Sequence, residues 1–276
     1  MRRLALTALV LAAPAAAQTG CAPDTTAEAQ APEASGERAV DALRTRRVPI
    51  PLGDGAVEVH VHSRLGGVLD ALVLHDNEDT GVQAALDVLR GQGGRVADLV
   101  HTGERNLTFR VGGQTYTADP NRVFTDAGRA RTLAALSRDT PEARAALEAL
   151  ADSVLAVYAE TDPAVVVTLH NNTEGNYSAA SYASGGEYEA DAEAVTIHEG
   201  SDPDDFFFVT DRGLYDALVA RSFNAVLQDN AAATDDGSLS VWAARRGRPY
   251  VNVEAQHGHR GEQERMIRAL AEVLAE

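Results

Sequence analysis

Four short segments carry residue types able to do chemistry together. In Leu72-Val73-Leu74-His75-Asp76-Asn77-Glu78 an apolar run ends at a histidine, and a carboxylate follows three residues on. His170 ends a second apolar run, Ala164 to Leu169, and Glu254 ends a third, Tyr250 to Val253. If the three runs are neighbouring parallel strands, their terminal side chains emerge at one edge. His75, Glu78 and His170 then make a set of two histidines and one carboxylate. That is the donor set of a catalytic zinc site, with one coordination position left for water. Glu254, outside the set, is placed to take a proton from that water. Arg122, in Asp119-Pro120-Asn121-Arg122-Val123-Phe124, can fork onto a substrate carboxylate, and Asn121 beside it adds hydrogen bonds. Each residue alone has a plainer reading: a capped histidine, a solvated carboxylate, an arginine paired with one of many acids. Their joint order, each at a strand end or in an adjoining loop, favours the functional one.

The elements that must hold these residues can be read from periodicity. Val57, Val59 and Val61 alternate with Glu58, His60 and His62, the period of a strand. His60 and His62 are read as the polar face of an edge strand. Strands are also expected over Ala71–Leu74, Val96–Val100, Ala164–Leu169, Ala194–His198 and Tyr250–Val253. Leu107–Val111 and Gln114–Thr117 flank Gly112-Gly113 as a hairpin. Helices are expected over Val82–Leu89, Ala127–Leu136, Pro141–Tyr158, Gly213–Phe223 and Gln263–Leu274. The third of these has Thr140 as a cap and Pro141 at its first position. The last turns Met266, Ile267, Leu270, Val273 and Leu274 inward. A continuous β-branched run such as Ala164–Leu169 suits a strand covered on both faces. Strands alternating with helices predict one α/β domain, with a mostly parallel or mixed central sheet flanked by helices. In such sheets, sites form at the carboxyl ends of the strands.

Other motifs carry less. His257 and His259 follow Glu254 closely and either tune it, line a pocket or sit in an exposed loop. Ser178 and Ser181 lack the Gly-x-Ser-x-Gly context of a strained nucleophile, which argues against serine hydrolysis. Asp202-Pro203-Asp204-Asp205 lacks the glycine and the spacing of a calcium loop and reads as an acidic turn. Phe206-Phe207-Phe208 after it reads as a core strand or a pocket wall.

The bulk properties bound the function. An apolar fraction of 45% over 276 residues is enough for a sizeable core. The formal net charge is −17, and all 24 basic residues are arginine. Such acidity argues against nucleic acid or an anionic membrane surface as a partner. Arg2 and Arg3, the apolar run Leu4–Ala13 and Ala15-Ala16-Ala17 read as a signal peptide over 1–17. Residues 18–40 read as a disordered acidic spacer rich in Ala, Pro and Thr, and 41–276 as the folded domain. The protein is therefore expected to be exported, periplasmic or extracellular. Cys21 is the only cysteine, so no internal disulfide forms. Gly20-Cys21 is similar to the end of a lipobox, which would make membrane contact a matter of lipidation at Cys21; Gln18 stands where such boxes usually carry leucine.

Four segments also carry a family resemblance. His75-Asp76-Asn77-Glu78 resembles the His-Gly-Asn-Glu segment of the aspartoacylase/succinylglutamate desuccinylase family. Asp119-Pro120-Asn121-Arg122-Val123-Phe124 resembles its Asp-Leu-Asn-Arg-x-Phe, and Leu169-His170-Asn171-Asn172-Thr173 its Leu-His-Asn-Thr-Thr. Val253-Glu254-Ala255-Gln256 is a looser match to Glu-Val-Gly-Pro-Gln. The order is the family's, and the resemblance runs from about Ala71 to Gly261. It implies a zinc carboxypeptidase-like fold, zinc on His75, Glu78 and His170, a substrate carboxylate held by Asn121 and Arg122, and Glu254 as general base. It also implies a second arginine beside the scissile carbonyl. Arg105 and Arg110 are the candidates, and Arg105 is preferred. Asp76 departs from the family's glycine and is expected to put a side chain and a charge beside the metal; Pro120 departs from its leucine. The expected function is zinc-dependent cleavage of an amide bond in a small-molecule or peptide substrate bearing a carboxylate: an N-acyl amino acid, a peptide carboxyl terminus or a cell-wall peptide. The alternative is an exported binding protein that keeps the fold without catalysis.

Overall fold

The computed structural model describes residues 42–276. The segments read as signal peptide and spacer, with Cys21, lie outside the described residues. The chain enters through β1 (Arg44–Leu52), β2 (Gly55–Arg64) and β3 (Asp70–Val73), then α1 (Asp79–Gln92) and β4 (Gly94–Val100). The hairpin β5 (Leu107–Val111) and β6 (Gln114–Ala118) follows, then α2 (Asp126–Leu136), α3 (Pro141–Tyr158) and β7 (Val166–Asn172). After a long loop come β8 (Ala192–Thr196), β9 (Phe206–Val209), α4 (Arg212–Ala220), β10 (Ala225–Gln228), α5 (Leu239–Arg245), β11 (Tyr250–Gln256) and α6 (Arg260–Ala275). No helix among the described residues is long and apolar enough to cross a membrane.

Nine strands form one mixed sheet in the order β1-β2-β4-β3-β7-β11-β9-β10-β8. Its middle is parallel: β3 pairs with β4 and β7, and β7 with β11, all in the same direction. All four β3 residues and all seven β7 residues are buried, as their apolar runs require for strands covered on both faces. One covering layer holds α1, α4 and α6 against Ala71, Val73, Val167, Leu169, Val251 and Val253. The other holds α2, α3, α5 and the hairpin against Leu72, Leu74, Val166 and Tyr250. The fold is thus an α/β domain with a mixed central sheet flanked by helices.

Local chemistry starts the helices where it was read. The Thr140 side chain accepts from Ala143 N, and Pro141 occupies the first turn of α3. Thr125 caps α2 in the same way through Gly128 N.

The structure corrects two expectations and adds a strand. His60 and His62 are not on an edge strand: β1 lies outside β2 and pairs with it throughout. Arg44–Leu52, which was not read as a strand, forms the sheet's margin with Ile50 and Leu52 turned inward, and its Pro49 and Pro51 are tolerated there where they would break a central strand. Finally, His170 and Glu254 do not close their strands. β7 runs on through Asn171 and Asn172, and β11 through Ala255 and Gln256. Strand geometry continues past the apolar run because the buried asparagines find partners. Asn171 donates to Ala255 O at 3.1 Å and to Gln263 Oε1 at 2.9 Å, and Asn172 donates to Asp204 O at 2.6 Å.

Candidate metal centre

β3 releases the chain at Val73, and after buried Leu74 it folds into a tight turn, with Glu78 N donating to His75 O at 3.1 Å. The turn aims both side chains at the neighbouring strand, where His170 sits between Leu169 and Asn171. His75 Nδ1 lies 2.8 Å from Glu78 Oε1 and 3.2 Å from His170 Nδ1. His170 Nδ1 lies 3.0 Å from Glu78 Oε2. All three side chains are buried. Donors bound to one zinc ion in a tetrahedron at about 2.0–2.2 Å stand roughly 3.3 Å from each other. The separations here therefore fit a single ion with little rearrangement.

The cluster balances its own charges, and an ion bound at His75 Nδ1 would displace a proton. Burial disfavours the Glu78 charge, but the two imidazoles more than offset it and hold the carboxyl well below the usual range. Burial likewise disfavours the His75 cation, and Glu78 with Asp119 outweighs it, pushing the ring up to about 9. His170 is shifted down, by burial first, so it presents a neutral nitrogen.

Asp119 was quoted in a motif but given no role at the sequence level. Its Oδ1 lies 2.9 Å from His75 Nε2, on the far side of the ring from the cluster. A carboxylate there fixes the tautomer and leaves Nδ1 to face an ion. Asp119 is itself held by Asn121 N, which donates to Oδ1 at 2.8 Å. It caps the short 3₁₀ turn Pro120–Arg122, and Pro120 suits the first position of that turn.

The remaining candidates divide cleanly. Arg105 reaches the cluster, with Nη1 3.3 Å from Glu78 Oε1 and Nη2 3.8 Å from Asp119 Oδ2. Arg110 does not; it turns back on its hairpin and donates to Gly113 O at 2.9 Å. Arg122 donates from Nη1 to Asn121 O at 3.0 Å, and its Nε stands 3.4 Å from Asp236 Oδ2. Asn121 Nδ2 lies 3.4 Å from His170 Nε2, and its Oδ1 accepts from Leu239 N at 3.2 Å. Glu254 pairs in register with His170 across the parallel ladder. It accepts from Asn252 Nδ2 at 2.9 Å, and burial, reinforced by Glu78, pushes its carboxyl up to about 8. His75, Glu78, His170, Arg105, Asn121, Arg122 and Glu254 all line one cavity of about 700 Å³.

The far wall of the cavity was not legible. The loop after β7 looked polar, yet it folds Tyr177, Tyr182 and Tyr188 into a cluster against Phe206 and Phe208. Tyr177 and Tyr182 join through their hydroxyls at 2.6 Å, and burial holds both phenols neutral. Phe208 is a pocket wall, while Phe207 faces the other layer against Phe223. His257 lines the cavity; His259 instead pairs with Asp205 at 2.9 Å. Asp202, Asp205 and His259 bring donor atoms within 4.8 Å of one another. Asp202 closes a turn on Asp204 N, and Asp205 accepts from Gln256 N, as an acidic turn would. The Ser178 and Ser181 pair caps a short 3₁₀ helix.

Asp76 requires a correction. It was expected to put a charge beside the metal. Its Oδ2 instead accepts from His101 N and Gly103 N, and it is absent from the cavity wall.

No family model matches the chain, and no curated protein matches it in sequence. Solved structures show a distant likeness. A succinylglutamate desuccinylase/aspartoacylase from Rhodobacter sphaeroides is 16% identical over 89% of this chain and 69% of its own, with a TM-score of 0.41. An aspartoacylase family protein from Mesorhizobium loti is 17% identical over 88% of this chain and 71% of its own, with a TM-score of 0.42. The murein-tripeptide amidase MpaA from Escherichia coli O157 is 16% identical, covering 88% of this chain and 96% of its own, with a TM-score of 0.42.

Proposed function

We propose that the chain is an exported zinc-dependent hydrolase that cleaves an amide bond in a substrate bearing a carboxylate. The observation that carries this reading is the meeting of three buried metal donors, a buried glutamate outside the donor set and two arginines on one cavity. Bound to His75, Glu78 and His170, zinc would supply an acidified water and a polarising charge.

The chain's own residues do the rest. Arg122 and Asn121 receive the substrate carboxylate and set the scissile bond at a fixed distance from the cluster, a positional contribution. Arg105 donates toward the carbonyl oxygen as negative charge gathers on it. Glu254 accepts the water's proton and passes it to the departing amine. A buried carboxyl held near neutrality is suited to both halves of that transfer. Tyr177, Tyr182, Tyr188 and Phe208 give the same cavity an aromatic wall.

The test is metal analysis followed by turnover on N-acyl amino acids and peptides. Wild type should hold one zinc, and His170→Ala should lose it. Glu254→Gln should retain zinc and lose turnover. A wild type that neither contains nor can be loaded with stoichiometric zinc would sink the reading, and an active Glu254→Gln would remove Glu254 from its role.

A further inference from the structure

Asp76 stands between the ligand His75 and the Asn77-Glu78 step, yet it serves a different part of the chain. Its Oδ2 accepts two backbone N–H groups, His101 at 2.6 Å and Gly103 at 2.6 Å. These belong to the loop that leaves β4, in which Thr102, Gly103, Glu104 and Arg105 are exposed. Gly103 has a φ of +76°, a left-handed conformation that glycine adopts without strain. This lets the loop double back so that both N–H groups meet one oxygen. Hydrogen bonds to an ionised acceptor are roughly twice as strong as neutral ones.

Two residues beyond Gly103 comes Arg105, whose side chain is 47% exposed and reaches Glu78 and Asp119 from the solvent side. A long side chain on an exposed loop loses both backbone and rotamer freedom when it is held in one place. A donor meant for a developing oxyanion must nevertheless stand in place before the charge forms. The Asp76 carboxylate ties the turn that carries two ligands to the loop that carries the arginine. The segment that this turn resembles has glycine at the position and so has no carboxylate to do this.

We propose that Asp76 is a positioning residue for Arg105, acting as a clasp between the ligand turn and the loop 101–105. The clasp rests on the hydrolase reading for its catalytic consequence, and on hydrogen bonding alone for its existence. Asp76→Ala removes the acceptor. Asp76→Asn keeps an oxygen without the charge and serves as the conservative variant should the alanine protein fold poorly.

The experiment uses the full chain, with and without zinc. Amide hydrogen exchange at His101 and Gly103 should speed up by roughly 10- to 100-fold in Asp76→Ala, the equivalent of a lost charged hydrogen bond, with Asp76→Asn intermediate and exchange across β7 unchanged. Zinc affinity should stay at the wild-type value. On a substrate that wild type turns over, kcat of Asp76→Ala should fall toward that of Arg105→Ala with little change in KM. The double variant should be no worse than Arg105→Ala, since both changes remove one interaction. Unchanged exchange at His101 and Gly103, additive losses in the double variant, or lost zinc in Asp76→Ala would each overturn the proposal. A wild type with no turnover on any N-acyl amino acid or peptide would instead count against the hydrolase reading, while the exchange comparison still decides whether the clasp exists.

Discussion

The residue that most repays attention at the site is Asp119, because it decides which nitrogen of His75 is available. Replacing it with alanine removes the bond to Nε2 and lets the ring rotate and change tautomer. Asp119→Ala should weaken zinc binding by about 10- to 100-fold, measured by competition with a chromophoric chelator, while the far-ultraviolet circular dichroism stays as in wild type. The contrast with His75, Glu78 and His170 shows what a sequence can display. The two histidines follow apolar runs, where a polar residue stands out, and Glu78 comes three residues after the first. Asp119 sits in a polar loop among many acids, and only the ring it touches distinguishes it. Tyr177 and Tyr182 were hidden for a similar reason. Their neighbours in the chain are polar, and the aromatic partners that give them meaning, Phe206 and Phe208, lie on β9.

Elements supply the tolerances within which those residues work. The first turn of α2 packs on the loop before α5 through two glycines. A Cβ on Gly128 would stand 2.1 Å from Gly237 Cα and 2.6 Å from Arg122 O. Gly128→Ala should therefore cost stability by about 1–3 kcal/mol, overpacking outweighing the helix propensity of alanine. It should also raise KM, since it pushes on the carbonyl of Arg122; urea unfolding and steady-state kinetics on one preparation check both. β4 carries a different tension. Asp98 is buried in it, and burial, with Asp76, Asp79 and Glu78 adding to it, pushes the carboxyl up from 3.8 to about 7. The folded state then binds more protons than the unfolded chain between those values, so stability falls as pH rises through the window. Asp98→Asn should match wild type near pH 4 and exceed it at pH 8 by roughly 1–4 kcal/mol, read from urea midpoints across that range. Among the elements, α3 was legible to the residue and the hairpin to within one residue, because caps and turns are local chemistry. β10 and α5 were not, being four and seven residues long with no period to detect.

For the whole molecule, charge and topology are separate facts with separate consequences. A net charge of −17 makes the folded chain repel itself. Screening relieves that repulsion over about 10 Å at 0.1 M salt and over less at higher salt. The melting temperature should accordingly rise between low salt and 1 M sodium chloride in a calorimetric scan, and a fall would show that the surface ion pairs outweigh the repulsion. Topology placed the site more firmly than composition did. Once β3, β7 and β11 were read as strands, the claim that they are parallel neighbours was a single conditional, and the sheet order satisfies it. The margins escaped because an outer strand need not be apolar on two faces. The prolines of the outermost strand reach beyond the monomer. Residues 49 and 51 have no N–H to offer a newcomer. A second molecule trying to extend the sheet by laying its own backbone alongside that margin would find the row of donors interrupted twice. At high concentration, fibril-like stacking should thus start elsewhere, and replacing both prolines with valine would open this margin to it.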